Sequence, residues 1–167
     1  MTDLPPLRRL LKERPATCDG CVILDYDGRM VRRKRLVTTE GRGFLVDLPE
    51  VTNLDAWWGF ELEDGTTLEI VPADEALMEV TGDLPRLAWH IGNRHTPCQI
   101  EEARLLIRHD HVIEAMLTRL GARLRPVTGP FTPEGGAYGH GRTMGHDHGH
   151  GHGNGLAHAH HHDEHAH

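Results

Sequence analysis

Between Cys21 and Val71 the chain alternates apolar and polar residues in short runs separated by turn residues. The runs CVILDYDGRMVRR, RLVTTEGRGFLVDLP and WWGFELEDGTTLEIV carry the two-residue period of strands that bury one face. Asp27-Gly28 and Asp64-Gly65 each fall between apolar stretches. Asp-Gly in that setting predicts a hairpin, because the turn needs positive φ. Residues 1–72 therefore predict a small β-domain. In so small a domain the pair Trp57-Trp58 fits core or edge packing, with a partner site as the alternative.

Pro72-Ala73-Asp74 breaks the alternation, and from Glu75 the period changes. Ala76 to Val80 predicts a strand. Thr81 or Asp83 then caps a helix in which Leu84, Leu87, Ala88 and Ile91 recur at helical spacing. Pro85 is tolerated in its first turn, and Gly92-Asn93 supplies a stop. Two strands follow, around Pro97 to Ile100 and over Arg104 to Arg108. Asp110 caps a second helix with apolar Ile113, Met116, Leu117 and Leu120, closed by Gly121. The segment ARLRPVT supplies a last strand. This β-α-β-β-α-β order predicts a ferredoxin-like α+β sandwich with an antiparallel sheet over residues 73–139. From Gly129 the sequence GPFTPEGGAYGHG predicts an irregular strap leading into a disordered tail at 140–167.

Composition changes the picture most at that tail. Eleven of the fifteen histidines lie between His140 and His167, where almost nothing apolar is present to build a core. Neutral imidazole is a ligand of intermediate softness, suited to Ni²⁺, Cu²⁺ and Zn²⁺ and poorly suited to Ca²⁺ or Mg²⁺. Transition-metal handling is therefore the first expectation, with His146, His148, His150, His152, His160 and His162 as candidate ligands.

The formal charge of -7 argues against general nucleic-acid binding. Ten of the eighteen basic residues precede Leu45, including the run Arg32, Arg33, Lys34, Arg35. That run lies in a predicted hairpin, so a solvated strand face is the expected reading and a nickel-responsive nucleic-acid binder the rival. No stretch approaches the ~20 apolar residues of a membrane span, and the N-terminus lacks the apolar core of a signal peptide. A cytoplasmic protein without membrane contact is expected. Cys18, Cys21 and Cys98 do not make a disulfide framework. Cys18 and Cys21 form a C-x-x-C without a second pair, which reads as surface thiols, with auxiliary metal binding as the alternative. Nothing resembles a phosphate loop or a nucleophile with its base, so no enzyme is expected.

The four histidines outside the tail, His90, His95, His109 and His111, cluster within 22 residues. His90 and His95 sit on and just past the first predicted helix. His109 and His111 flank Asp110 where the second begins, and at a cap they could serve one ion. Asp110 itself fits a helix cap better than a ligand. Spacing alone leaves a metal role and ordinary surface or carbonyl-bonded histidines equally open, since no H-x-x-x-H frame exists.

The string WHIGNRHTPCQI, then RHDHVIEAMLTRLGARL, then GPFTPEGGAYG and a histidine-rich terminus, resembles the urease accessory protein UreE family of nickel metallochaperones. The resemblance is specific over roughly residues 73–139 and weaker before them. It implies a peptide-binding-like β-domain at 1–72 and a ferredoxin-like metal-binding and dimerisation domain at 73–139. It further implies a homodimer sharing one Ni²⁺ at the two-fold axis through His95 of each subunit. His109 and His111 match further ligands, and His90 occupies a position that is histidine in some members. The implied partners are the accessory GTPase UreG and the urease apoprotein complex. Zn²⁺ and Cu²⁺ are also expected to bind. The rival reading is a nickel storage protein in which the tail is the functional site.

Overall fold

The computed structural model describes residues 2–135. Its first half contains six strands: β1 (Leu7–Leu11), β2 (Gly20–Leu24), β3 (Met30–Val37), β4 (Gly43–Asn53), β5 (Gly59–Leu62) and β6 (Thr67–Pro72). Four make one sheet in the order β1-β5-β6-β2, with β2 parallel to β6 and β5 antiparallel to both neighbours. β3 and β4 form a separate antiparallel ladder. Alternation places Val22, Phe60, Leu62 and Leu68 of the sheet in one buried cluster with Leu36, Phe44 and Val46 of the ladder. The Phe44 and Phe60 rings meet edge to face there, 5.3 Å between centroids. Trp57 packs on the rim of this cluster, as the packing reading expects, and the main chain of Trp58 hydrogen-bonds Leu11 and Ile70.

The two Asp-Gly pairs diverge. At Asp64-Gly65 the expected hairpin joins β5 to β6, with Gly65 at φ +87°. Asp64 Oδ1 accepts from the Thr66 N–H at 2.9 Å, and hydrogen bonds from Thr66 hold this carboxyl below its ordinary range. At Asp27-Gly28 the hairpin expected from the sequence does not form. Asp27–Arg29 is one turn of 3-10 helix, and β2 departs to β6 while β3 pairs with β4. Two groups impose this path. Asp25 Oδ1 accepts from the Gly28 N–H at 2.7 Å. Arg29 is drawn into the interior, where it donates to the Asp55 carboxylate and to the main-chain oxygens of Leu24 and Phe131.

The second half runs β7 (Asp74–Thr81), α1 (Leu84–Asn93), β8 (Gln99–Ile100), β9 (Leu105–Arg108), α2 (His111–Arg119) and β10 (Arg123–Pro130). The strands form an antiparallel sheet in the order β10-β7-β9-β8. Met78, Val80, Leu105 and Ile107 of this sheet share a buried cluster with Leu87 and Ile91 of α1 and Ile113, Met116 and Leu117 of α2. Asp83 is the cap of α1, accepting from the Arg86 N–H at 3.5 Å. Asp110 caps α2 by accepting from Val112 and Ile113, and Glu114 returns the favour by accepting from the Asp110 N–H at 2.9 Å.

α1 ends at Asn93, where Gly92-Asn93 predicts the stop, but glycine does not make the turn. The chain leaves through Arg94, and the residue that takes the left-handed conformation is His95, at φ 55°. Gly129 does not begin the irregular strap. β10 continues through Gly129 and Pro130, which pair with Glu75 and Asp74. Pro130 sits on the edge strand, where a missing donor is tolerated. The tail expected to be disordered lies outside the described residues.

A third buried cluster joins the two halves. Tyr26, from the turn after β2, packs with Leu77, Leu106 and Phe131, its ring edge-on to Phe131 at 5.5 Å. The Tyr26 N–H donates to Glu75 Oε2 at 3.0 Å. Among the described residues no helix is long and apolar enough to cross a membrane.

Candidate metal centre

The histidines are positioned by the ends of α1, β9 and α2. His95 follows α1 in a tight turn, its N–H donating to the Gly92 oxygen at 3.0 Å. A side chain with a Cβ pays for left-handed backbone, and histidine is one of the few non-glycine residues enriched there. The turn brings His95 out to solvent at the mouth of a cavity of about 330 Å³ lined by His95, Thr96, Pro97, Arg108, His109 and Asp110. His109 reaches it from the end of β9, and its Nδ1 lies 3.7 Å from Glu114 Oε1. At that distance the carboxylate is an electrostatic neighbour of Nδ1 and not a hydrogen-bond partner, and the other ring nitrogen is left for a ligand role.

Of the four candidates outside the tail, the fold thus gathers His95 and His109 on one cavity. His111 is exposed at the first position of α2, and neither it nor His90 lines that cavity. His90 is half-buried in the last turn of α1, its ring edge-on to Trp89 at 5.0 Å. Among the described residues no three His, Cys, Asp or Glu side chains come together as a metal-holding group. Asp110 borders the cavity, but its Oδ1 is engaged as the helix cap. Among the described residues the cavity accordingly has two histidines, which suit a borderline divalent ion such as Ni²⁺, Cu²⁺ or Zn²⁺ and leave most of its coordination sphere to other donors. The tail candidates His146, His148, His150, His152, His160 and His162 lie outside the described residues.

The thiols stand apart from this cavity. Burial, aided by the Glu134 charge, pushes the Cys98 thiol up to about 11, so it stays protonated near neutrality. Cys18 is exposed and its Sγ contacts the Gly20 oxygen at 3.3 Å, while Cys21 Sγ lies 3.6 Å from Thr39 Oγ1. The residue that sequence reasoning passed over is Arg108. It lines the cavity, and its guanidinium lies 5.0 Å from the centroid of the Tyr26 ring and donates to Asp27 Oδ2 at 2.9 Å. Its adjacency to His109 was the available signal.

Comparison with known proteins identifies the family. Residues 75–167 match the family model described as UreE urease accessory protein, C-terminal domain. The urease accessory protein UreE of Cereibacter sphaeroides is 61% identical over 149 residues, covering 88% of this chain and 82% of that protein. The protein of the same name from Ruegeria pomeroyi is 60% identical over 146 residues, covering 86% and 98%. That of Paracoccus denitrificans is 54% identical over 140 residues, covering 84% and 90%. With a family model matched over more than half of the chain and identity this high over most of each relative's length, the chain belongs to the UreE family of urease accessory proteins.

Proposed function

We propose that this protein binds Ni²⁺ and hands it on during assembly of the urease active site. As a UreE family member it is an accessory protein and not an enzyme. The observation that carries the nickel reading is the cavity shared by His95 and His109. Two imidazoles on one chain are too few for tight capture, so the reading includes a homodimer in which His95 of each subunit shares one ion. Exposed Trp89 and Val112, on the helices beside these histidines, support such a contact, because large apolar side chains left in water favour burial against a second copy. His111 and His90 belong to the same site as ligands that a second chain or the tail would complete.

In this reading residues 1–72 are a peptide-binding-like domain, 73–139 a ferredoxin-like metal-binding and dimerisation domain, and 140–167 a tail that collects Ni²⁺. Tethered imidazoles raise the local ligand concentration and complete the shell around His95. An incoming partner, the accessory GTPase UreG on the way to the urease apoprotein, replaces ligands one at a time. The ion then never leaves coordination. Zn²⁺ and Cu²⁺ compete for the same imidazoles, and the setting is the cytoplasm.

The test is titration of Ni²⁺ into the full chain, into residues 1–139 and into His95→Ala, while oligomer mass is followed. One tight ion per dimer, retained by residues 1–139 and missing from His95→Ala, is expected. If residues 1–139 bind no Ni²⁺, or bind it without His95, the tail is the main site and nickel storage is the better reading.

A further inference from the structure

We infer that Arg108, through its ion pair with Asp27, sets how tightly the His95–His109 cavity holds a divalent cation. The inference rests on the proposed function and names a residue that adjusts it. A guanidinium carries a permanent positive charge, and Arg108 lines the same cavity as the two imidazoles. Any dication placed there is repelled by it. The repulsion is tempered by Asp27, whose Oδ2 accepts from Arg108 Nη1 at 2.9 Å.

The compensating carboxylate comes from the other half of the molecule. Asp27 belongs to the 3-10 turn between β2 and β3, while Arg108 ends β9 immediately before His109. The guanidinium is also held from behind by the Tyr26 ring, 5.0 Å from its centre. Tyr26 is itself buried, edge-on to Phe131 and hydrogen-bonded through its N–H to Glu75. Arg108 is therefore braced at the cavity rather than able to retreat from an incoming ion. With Asp27 in place a dication meets a nearly neutral pair. With Asp27 drawn away it meets an uncompensated cation. Whatever engages the β2–β3 turn and takes Asp27 from Arg108 thus lowers the cavity's affinity, and by linkage a bound ion weakens that engagement equally.

For a unit charge acting on a dication across several ångströms near the surface, the effect amounts to roughly a three- to tenfold change in affinity at low salt, shrinking as salt screens it.

Occupancy of this cavity is followed in the full chain from paramagnetic broadening of the Thr96 and His109 amide signals by Ni²⁺, against a competing chelator. Arg108→Met should tighten binding three- to tenfold, and Arg108→Lys, which keeps the charge, should leave it near the unaltered value. Asp27→Asn should weaken binding several-fold, and the double variant, neutral like the intact pair, should return close to the unaltered value. All these differences should narrow at high salt. Weaker binding in both Arg108→Met and Arg108→Lys would mean that Arg108 only supports the fold, and a silent Asp27→Asn would remove the pair from the account. Either result overturns the inference and leaves the nickel reading standing. Absence of broadening at Thr96 and His109 in the unaltered chain would overturn both.

Discussion

Replacing His95 by glycine or by alanine removes the same imidazole but leaves different backbones, and the two variants should separate. His95 lies at φ 55°. There a Cβ crowds the following carbonyl at a cost of about 1–2 kcal/mol, whereas glycine bears no such cost. Against this, glycine loses roughly 0.5–1 kcal/mol through the greater freedom of the unfolded chain. The turn itself survives in both, because its bond runs from the His95 N–H to the Gly92 oxygen. His95→Gly should therefore be more stable than His95→Ala by about 0.5–1 kcal/mol. In urea, with slopes of ~2 kcal/mol/M for a chain of this size, that is a midpoint higher by about 0.2–0.5 M. The assay is urea unfolding of the full chain in excess chelator, followed by tryptophan fluorescence. Titration of Ni²⁺ should show the same loss of the cavity site in both. Equal midpoints, or a more stable alanine variant, would refute the argument that His95 holds a strained turn. Retention of the ion by either would remove His95 from the metal site.

Arg29→Met should cost about 2–4 kcal/mol, because it leaves the main-chain oxygens of Leu24 and Phe131 without a donor around a residue only 1% exposed, while the Asp55 carboxylate keeps access to water. Urea unfolding measures it, and a loss under about 1 kcal/mol contradicts the reasoning from buried hydrogen bonds. Cys98 should resist alkylation at pH values where exposed Cys18 already reacts, since its thiol titrates near 11. The sign of the linked stability follows. The folded protein keeps a proton that the unfolded chain releases above the ordinary thiol value of 9.0, so this contribution is complete below that pH and is lost as pH rises toward about 11. Cys98→Ala should flatten the alkaline limb of a stability profile; an unaltered limb would exclude Cys98 as its source.

The parts of the fold legible in the sequence are those fixed by local rules. Leu84, Leu87, Ala88 and Ile91 share the face of α1 that packs on the sheet, and Asp110 caps α2, because period and cap chemistry act within one turn of chain. Asp64-Gly65 turned as its sequence predicts, since both flanking strands belong to one hairpin. The same dipeptide at 27–28 misled, because its path is decided by Arg29 reaching Phe131, 102 residues away. No window around Asp27 contains that information. α1 ends at Asn93 as its sequence predicts, but the residue that makes the turn differs. Glycine at 92 invited a stop, yet the left-handed position fell to His95, where a side chain that strains the backbone is also the one on the cavity.

The same contrast runs through the candidate centre. Spacing suggested pairing His109 with His111, two residues apart across Asp110, but the strand ends at Arg108 and the helix begins at His111. The change of element between them leaves only His109 lining the cavity, and the partner it meets there is His95. Sequence distance carries no sign of the His95–His109 neighbourhood, which the sheet creates by ending β9 beside the turn after α1. Among the described residues the cavity has two histidines and an arginine on its lining, enough to engage a borderline metal ion and too few donors to enclose it. That incompleteness favours exchange: an ion with vacant positions can take a ligand from a new protein before losing one from the old. Resident structural metals sit in closed four-ligand shells for the opposite reason. Completing the shell from this chain alone, by substituting cavity-lining Thr96 with histidine, should therefore slow Ni²⁺ release to a competing chelator. Unchanged release, with Thr96→His shown to ligate, would mean that the open positions do not govern exchange.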